Sequence, residues 1–298
     1  KRQGVFEDKE KALQKLSTYR TVFKNIYPGL RAAKTEILTV KQKKTDAEIS
    51  VLAKEIVAGT VSADTLSTEE LMYAASLTPD LDEQEAIYKA SIAKSDNWNA
   101  HANLAAVYVA KAAENPAGAS SLVADAEVQV DLANKQKESP EAYTTAASVY
   151  LMQGNMDKAT DALNKALSLG PNAATTNGLK GVQGSIDIKE ADYSDAVSAL
   201  SGATETAPNL FNKGLAYLLQ KDNSNAISSF EDATAAQNDY AVAYYGAAVA
   251  YARSGNGDKV VENLQKAVSY DSSLKETAVE DLEFKNYASD AAFAAVLK

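Results

Sequence analysis

The sequence of 298 residues contains no cysteine, which excludes disulfides and thiolate metal sites. It contains one histidine, His101, so no centre that needs two histidines can be built, zinc protease sites included. Only 14 residues are glycine and 6 are proline, too few for a loop-rich or low-complexity chain. No apolar run approaches the roughly 18 residues that identify a membrane-spanning helix. No secretory signal is visible, and the opening Lys1-Arg2-Gln3-Gly4 reads as a mature or trimmed start. What is present is 46% hydrophobic and 23% charged, with abundant alanine in long helix-favouring runs. That composition predicts an all-α chain with material for a core.

The charge is split. Residues 1–44 hold 12 Lys and Arg against 4 Asp and Glu, a net of +8, whereas the remainder carries −18. Two differently solvated surfaces are the plain reading; a basic head that docks on something acidic is the sharper one. The acidic bulk argues against nucleic acid, because neutralising phosphates takes Lys and Arg across the binding face.

Internal periodicity is the strongest signal. In Tyr143 to Pro171, Tyr143, Ala147 and Tyr150 fall on one face of a first helix, and Ala159, Leu163 and Ala166 on one face of a second. Small residues let the helices approach while large ones fill the gap. Gly154 permits the positive φ of a helix end, and Pro171 closes the unit. Gly214 to Ala248, Tyr217 to Tyr251, Phe230 to Leu264 and Ala233 to Ala267 are each 34 residues apart. Between the opening unit and the next the offset is 37, with Tyr193, Ala196, Leu200, Ala203 and Pro208 in step. Upstream, Leu104, Ala105 and Tyr108 fit a first helix; the link around Asn115-Pro116-Ala117-Gly118 is stretched, and Ala126, Val130 and Ala133 fit the second. Leu71, Met72, Ala75, Tyr88 and Ile92 mark a degenerate first unit.

These aromatic, small and proline positions resemble the tetratricopeptide repeat (TPR) family, whose unit is a helical pair of about 34 residues. The resemblance implies a right-handed α-solenoid of about six hairpins between Leu66 and Leu274. The expected organisation is an N-terminal helical or linker segment at 1–60, the repeat array at 61–274 and capping helices at 275–298. Asp281, Glu283-Phe284, Phe293 and Val296-Leu297 resemble the closing segment of such arrays, whose last apolar edge needs a cover.

Residues 1–60 do not follow the repeat. Phe6 to Tyr27 reads as one helix carrying Leu13, Leu16, Tyr19, Val22, Phe23 and Ile26 on one face, ended by Pro28-Gly29. Ile37, Leu38 and Val40 then alternate as in a short strand, or begin another helix. "YRTVFKNIYPGLRAAKTEILTV" resembles the tail of an OmpA-like domain of Bacteroidetes-type envelope proteins; the competing reading is a helical cap for the array. Thr45 to Gly59 is a further amphipathic helix, with Thr45 as N-cap and Glu48 three residues on.

Chemistry is scarce. Gly178, Gly181 and Gly184 lack the strand and the Gly-Lys-Ser/Thr of a phosphate loop, so close helix packing is the better reading. Asp222 to Asn225 and Gly255 to Lys259 are inter-helix turns without a calcium ligand ladder. Glu69-Glu70 and Asp80, Asp82 and Glu83 read as helix-start charges. His101 has no identifiable nucleophile or orienting partner and reads as a packed side chain; Trp98 reads as packing between units. No catalytic, cofactor or metal residues are assigned, and the chain is expected not to be an enzyme.

In the TPR resemblance the concave groove is lined by the first helices. Here that implies Tyr73, Asn103, Leu151, Met152, Lys189, Phe211, Leu219, Tyr245 and Arg253, with Thr144 and Ser148 also left over by packing in the unit of Tyr143. Lys189, Arg253, Asn103 and Asn212 are too dispersed for the family's carboxylate clamp. The expected function is a non-enzymatic scaffold binding a protein or peptide partner in that groove, periplasmic or outer-membrane-associated and tied to envelope assembly. The alternative is a carbohydrate-binding or nutrient-uptake protein using its 15 tyrosines and Trp98 as stacking platforms.

Overall fold

The structure, a computed structural model, describes residues 8–9, 11–25, 43–114 and 118–298. Helices are its only regular secondary structure among the described residues. Two compact units divide the chain between Lys44 and Thr45.

In the first unit, residues 11–14 are helical and α1 spans Tyr19–Asn25. The single helix expected from Phe6 to Tyr27 is therefore interrupted at residues 15–18. There the backbone makes i−3 bonds, Leu16 N to Leu13 O and Tyr19 N to Leu16 O, both at 3.0 Å. Ser17 and Thr18 favour caps and turns because their hydroxyls compete for the backbone. Of the expected apolar face, Leu13 and Leu16 are exposed and Tyr19 is half-buried. Phe6, Ile26, Pro28-Gly29, the strand expected at Ile37, Leu38 and Val40, and the side chains of Val22 and Phe23 lie outside the described residues.

The second unit begins with α2 (Asp46–Val57). Thr45 caps it with a complete capping box, its hydroxyl taking the Glu48 N–H while Glu48 takes the Thr45 N–H at 2.7 Å. Six antiparallel hairpins follow: α3 (Thr68–Ser76) with α4 (Leu81–Lys94), α5 (Trp98–Glu114) with α6 (Ala119–Gln136), α7 (Pro140–Met152) with α8 (Met156–Ser168), α9 (Ala173–Lys189) with α10 (Tyr193–Ser201), α11 (Ala207–Leu219) with α12 (Asn223–Ala236), and α13 (Ala241–Arg253) with α14 (Gly257–Tyr270). They form a right-handed α-solenoid. α15 (Leu274–Glu280), a 3₁₀ segment (Leu282–Tyr287) and α16 (Ala291–Val296) close it.

The periodic residues are the core. Ala147, Ala159, Ala166, Ala226, Phe230, Ala233, Ala248, Leu264 and Ala267 are fully buried. The periodic tyrosines Tyr143, Tyr150, Tyr193, Tyr217 and Tyr251 are half-buried, and so is Ala203, because α10 stops at Ser201. Gly202 ends it beneath the Lys180 side chain, and the next strand of chain crosses to α9, with Thr204 N on Asn177 O at 3.3 Å. Gly154 takes the positive φ expected of it, 73°, and Gly255 in the corresponding turn of the last hairpin takes 76°. In the intervening hairpins the same turn is made by Ala191 and Lys221, at φ 65° and 66°, a conformation that L residues adopt at a cost. The helix-start acids behave as expected: Ser67 and Glu70 form a capping box, and Asp80 caps α4.

The α9 glycines divide. A Cβ on Gly184 would overlap Leu200, and one on Gly181 would sit 2.7 Å from the Asn209 amide, whereas one on Gly178 would meet only Thr144 Cγ2 at 3.8 Å. The packing reading holds for the first two and not for Gly178.

Candidate partner-binding surface

Curvature follows from which helices touch. Each first helix from α5 to α13 contacts the next first helix, while consecutive second helices make no comparable contact. The first helices are thus the closely spaced inner layer, as in superhelical repeat arrays.

Over α7 and α9 this inner layer is paved with small residues whose polar groups the scaffold itself satisfies. Thr144 and Ser148 donate to carbonyls of their own helix, Pro140 O at 2.7 Å and Thr144 O at 3.3 Å. Thr175 donates to Glu141 at 3.0 Å, and Asn212 Nδ2 to Ser185 Oγ at 3.0 Å. Asn209 fills the space above Gly181 and donates to Thr204 O at 2.9 Å.

The residues expected to line the groove fall into two sets. Leu151 is half-buried; Met152 and Leu219 are exposed at 40% and 39%. Lys189 is exposed, with no ion pair among the described residues. Asn103 is half-buried, and the exposed Tyr73 donates to Asp46 at 3.2 Å. Phe211, Tyr245 and Arg253 are committed to intramolecular contacts. Phe211 packs on Phe230 at 5.5 Å and edge-on to Tyr240 at 6.1 Å. Tyr245 donates to Asp281 at 2.7 Å, and Arg253 makes a bidentate pair with Glu283 at 2.6 and 3.0 Å while donating to Leu218 O. Burial and then Asp281 hold the Tyr245 hydroxyl well above the usual tyrosine range. Sequence reasoning missed the commitments of Tyr245 and Arg253, since their partners Asp281 and Glu283 lie in the closing segment.

The other singled-out residues are structural. His101 is buried, with Nδ1 2.6 Å from Gln129 and Nε2 2.6 Å from Asp96, which also accepts from Gln136 at 2.9 Å. Trp98 has Lys137 over one ring face at 4.4 Å. An open cleft of about 430 Å³ lies at Asp80, Asp82 and Lys111, but its lysine is bound to Asp82 and Glu85, whose hydrogen bonds raise its pKa. No group of His and acidic residues able to hold a metal occurs among the described residues, and no described helix is long and apolar enough to cross a membrane.

Asp187 is the one buried acid among the described residues. It accepts from Gln183 at 2.6 Å, and burial raises its pKa, with Asp195, Glu190 and Asp192 adding to the shift. A raised carboxyl contributes stability that is full below its unfolded pKa and is lost as pH rises through its folded pKa. Asp187→Asn is therefore expected to raise Tm at pH 7, by removing the ionised carboxylate that burial disfavours. The gain should vanish near pH 3.5; thermal melts at both pH values check it, and a pH-independent gain would remove the ionisation account.

The tetratricopeptide repeat model matches residues 140–172 and 207–240, the hairpins α7–α8 and α11–α12. No curated protein matches the sequence. Among solved structures, the APC/C hetero-tetramer Cut9-Hcn1 is similar at TM-score 0.61 and 12% identity, over 85% of this chain and 46% of that one. The human IFIT1 dimer with PPP-AAAA is similar at TM-score 0.62 and 14% identity, over 78% of this chain and 58% of that one. The chain thus spans about half the length of these proteins, and at such identities the likeness is one of fold. Residues 140–172 and 207–240 thus carry tetratricopeptide repeats, and the other four hairpins share their arrangement of paired antiparallel helices.

Proposed function

We propose that the array holds a segment of a partner protein along its inner surface between α5 and α11, without catalysis. The observation that carries this reading is the mismatch on that surface. The hydroxyls of its small-residue floor are satisfied internally, yet Met152 and Leu219, on the same layer of first helices, remain 40% and 39% exposed. Apolar side chains over a small-residue floor suit a chain that approaches closely and anchors in shallow apolar contacts. A cell-envelope location is the accompanying proposal; it rests on the OmpA-like character of residues 19–40, and fractionation of the source cells tests it. The carbohydrate reading gains no support from Trp98, which has one face taken by Lys137.

Met152→Glu with Leu219→Glu is expected to weaken partner binding at least tenfold, about 1.4 kcal/mol. Leu167→Glu, at an exposed position of α8, is the control and should bind as the parent does. Quantitative affinity capture from source cells with all three proteins identifies the partner as what the double variant loses and the control keeps. An identical retained set for all three would discard the inner surface as the binding face.

A further inference from the structure

The last hairpin differs from the others in that its inner surface is already occupied. Tyr245 and Arg253 stand 34 residues after Phe211 and Leu219, so they hold the same places on α13 that those residues hold on α11. There the 3₁₀ segment lays down a pattern of carboxylate, spacer, carboxylate, aromatic. Asp281 accepts from Tyr245 at 2.7 Å, Glu283 takes both nitrogens of the Arg253 fork, and Phe284 sits edge-on to Tyr245 at 5.7 Å. Tyr287 adds a bond to Ala252 O at 3.4 Å. Leu282, between the two acids, is 83% exposed, and neighbouring Val279 is 67% exposed.

We infer that Asp281–Tyr287 is a displaceable internal ligand, and that the α13 surface beneath it is a second binding site for acidic peptides of the form Asp-x-Glu-aromatic. The segment has the attributes of a bound peptide. Its recognition is carried by one buried ring, Phe284 at 2% exposure, and by charge-assisted bonds to a fork donor, the geometry that selects carboxylates. Its own backbone is a short 3₁₀ helix, whose hydrogen bonds are poorer than α-helical ones. The Arg253–Glu283 pair is about one-third exposed and hence weakened by salt. Such a segment opens more readily than the packed helices beneath it. A partner with the same chemistry competes with it at the segment's effective concentration, so the closed chain binds weakly and the opened chain binds well.

The test uses the full chain and a fluorescent peptide copying residues 278–290. In hydrogen exchange, residues 282–287 of the parent should exchange faster than α13 and α14. Glu283→Arg with Phe284→Ala should bind the peptide at least tenfold more tightly than the parent, by anisotropy, with binding falling at high salt. Arg253→Glu with Glu283→Arg re-forms the pair with its charges swapped and should return binding to the parental level or below. Circular dichroism establishes that each variant retains its helix content; if the first does not, Glu283→Ala with Phe284→Leu takes its place. Absence of peptide binding by a folded opened variant, or exchange of 282–287 as slow as that of α14, would overturn the proposal and leave the segment a permanent cap.

Discussion

Replacing Phe230 with alanine is expected to destabilise the array by about 3–5 kcal/mol, the range for removing a fully buried phenylalanine. The ring is completely inaccessible in α12. It is gripped from both sides by glycines on neighbouring first helices, Gly214 of α11 and Gly246 of α13. A Cβ on either would sit 2.7 or 2.8 Å from ring carbons. No side chain can fold into the void from those positions, so little of the cavity can collapse. Because the ring touches two successive units, its loss also weakens the interface between them, and repeat arrays are held by such nearest-neighbour terms. Urea unfolding followed by circular dichroism should show a lower midpoint and a broader transition. The glycines provide the cross-check. Gly214→Ala overpacks the parent but fills space in Phe230→Ala, so the pair should couple with opposite sign. A cost below about 1 kcal/mol for Phe230→Ala would mean that the ring is not the wedge described.

The second large effect separates two glycines six residues apart on one helix. Gly184→Ala should cost about 1–3 kcal/mol through overpacking, since its Cβ would overlap the branch carbon of Leu200. Leu200 cannot swing clear. It is buried, and α10 spans only 9 residues and buries only Ala196 and Leu200. Gly178→Ala meets nothing closer than 3.8 Å and should stabilise by about 0.5–1 kcal/mol, the ordinary helix gain of alanine over glycine. Thermal melts of the two variants should shift in opposite directions. A loss for both would point to a shared need for backbone approach along α9, and a gain for both would remove the close packing of α9 on α10.

The repeat itself was legible because equivalent positions face the same steric demand. Gly184 and Gly214 are small for one reason: each lies against the large residue of its own hairpin, Leu200 or Phe230, and Ala147 and Ala248 are the fully buried small residues at the matching places of their hairpins. A chain that must fill a similar hole in each hairpin records the repeat in its sequence, at 34 residues from Gly214 to Ala248 and from Phe230 to Leu264, and helix caps such as Thr45 and Ser67 are local enough to be read the same way.

Features that depend on distant partners were not legible. Ala191 and Lys221 take left-handed turns because the helices on either side are already positioned. α10 stops before Ala203 because the chain is drawn across to Asn177. The sequence assigns the inner surface to the first helices, but not what already occupies it. Tyr245 and Arg253 look as available as Met152 and Leu219 until Asp281, 36 residues after Tyr245, and Glu283, 30 residues after Arg253, fold back onto them together with Phe284. Periodicity fixes which face a residue occupies, because that depends only on helical geometry and the neighbouring turn. Whether the face is open depends on where a non-repeating segment finds its lowest free energy, and only the tertiary structure decides that.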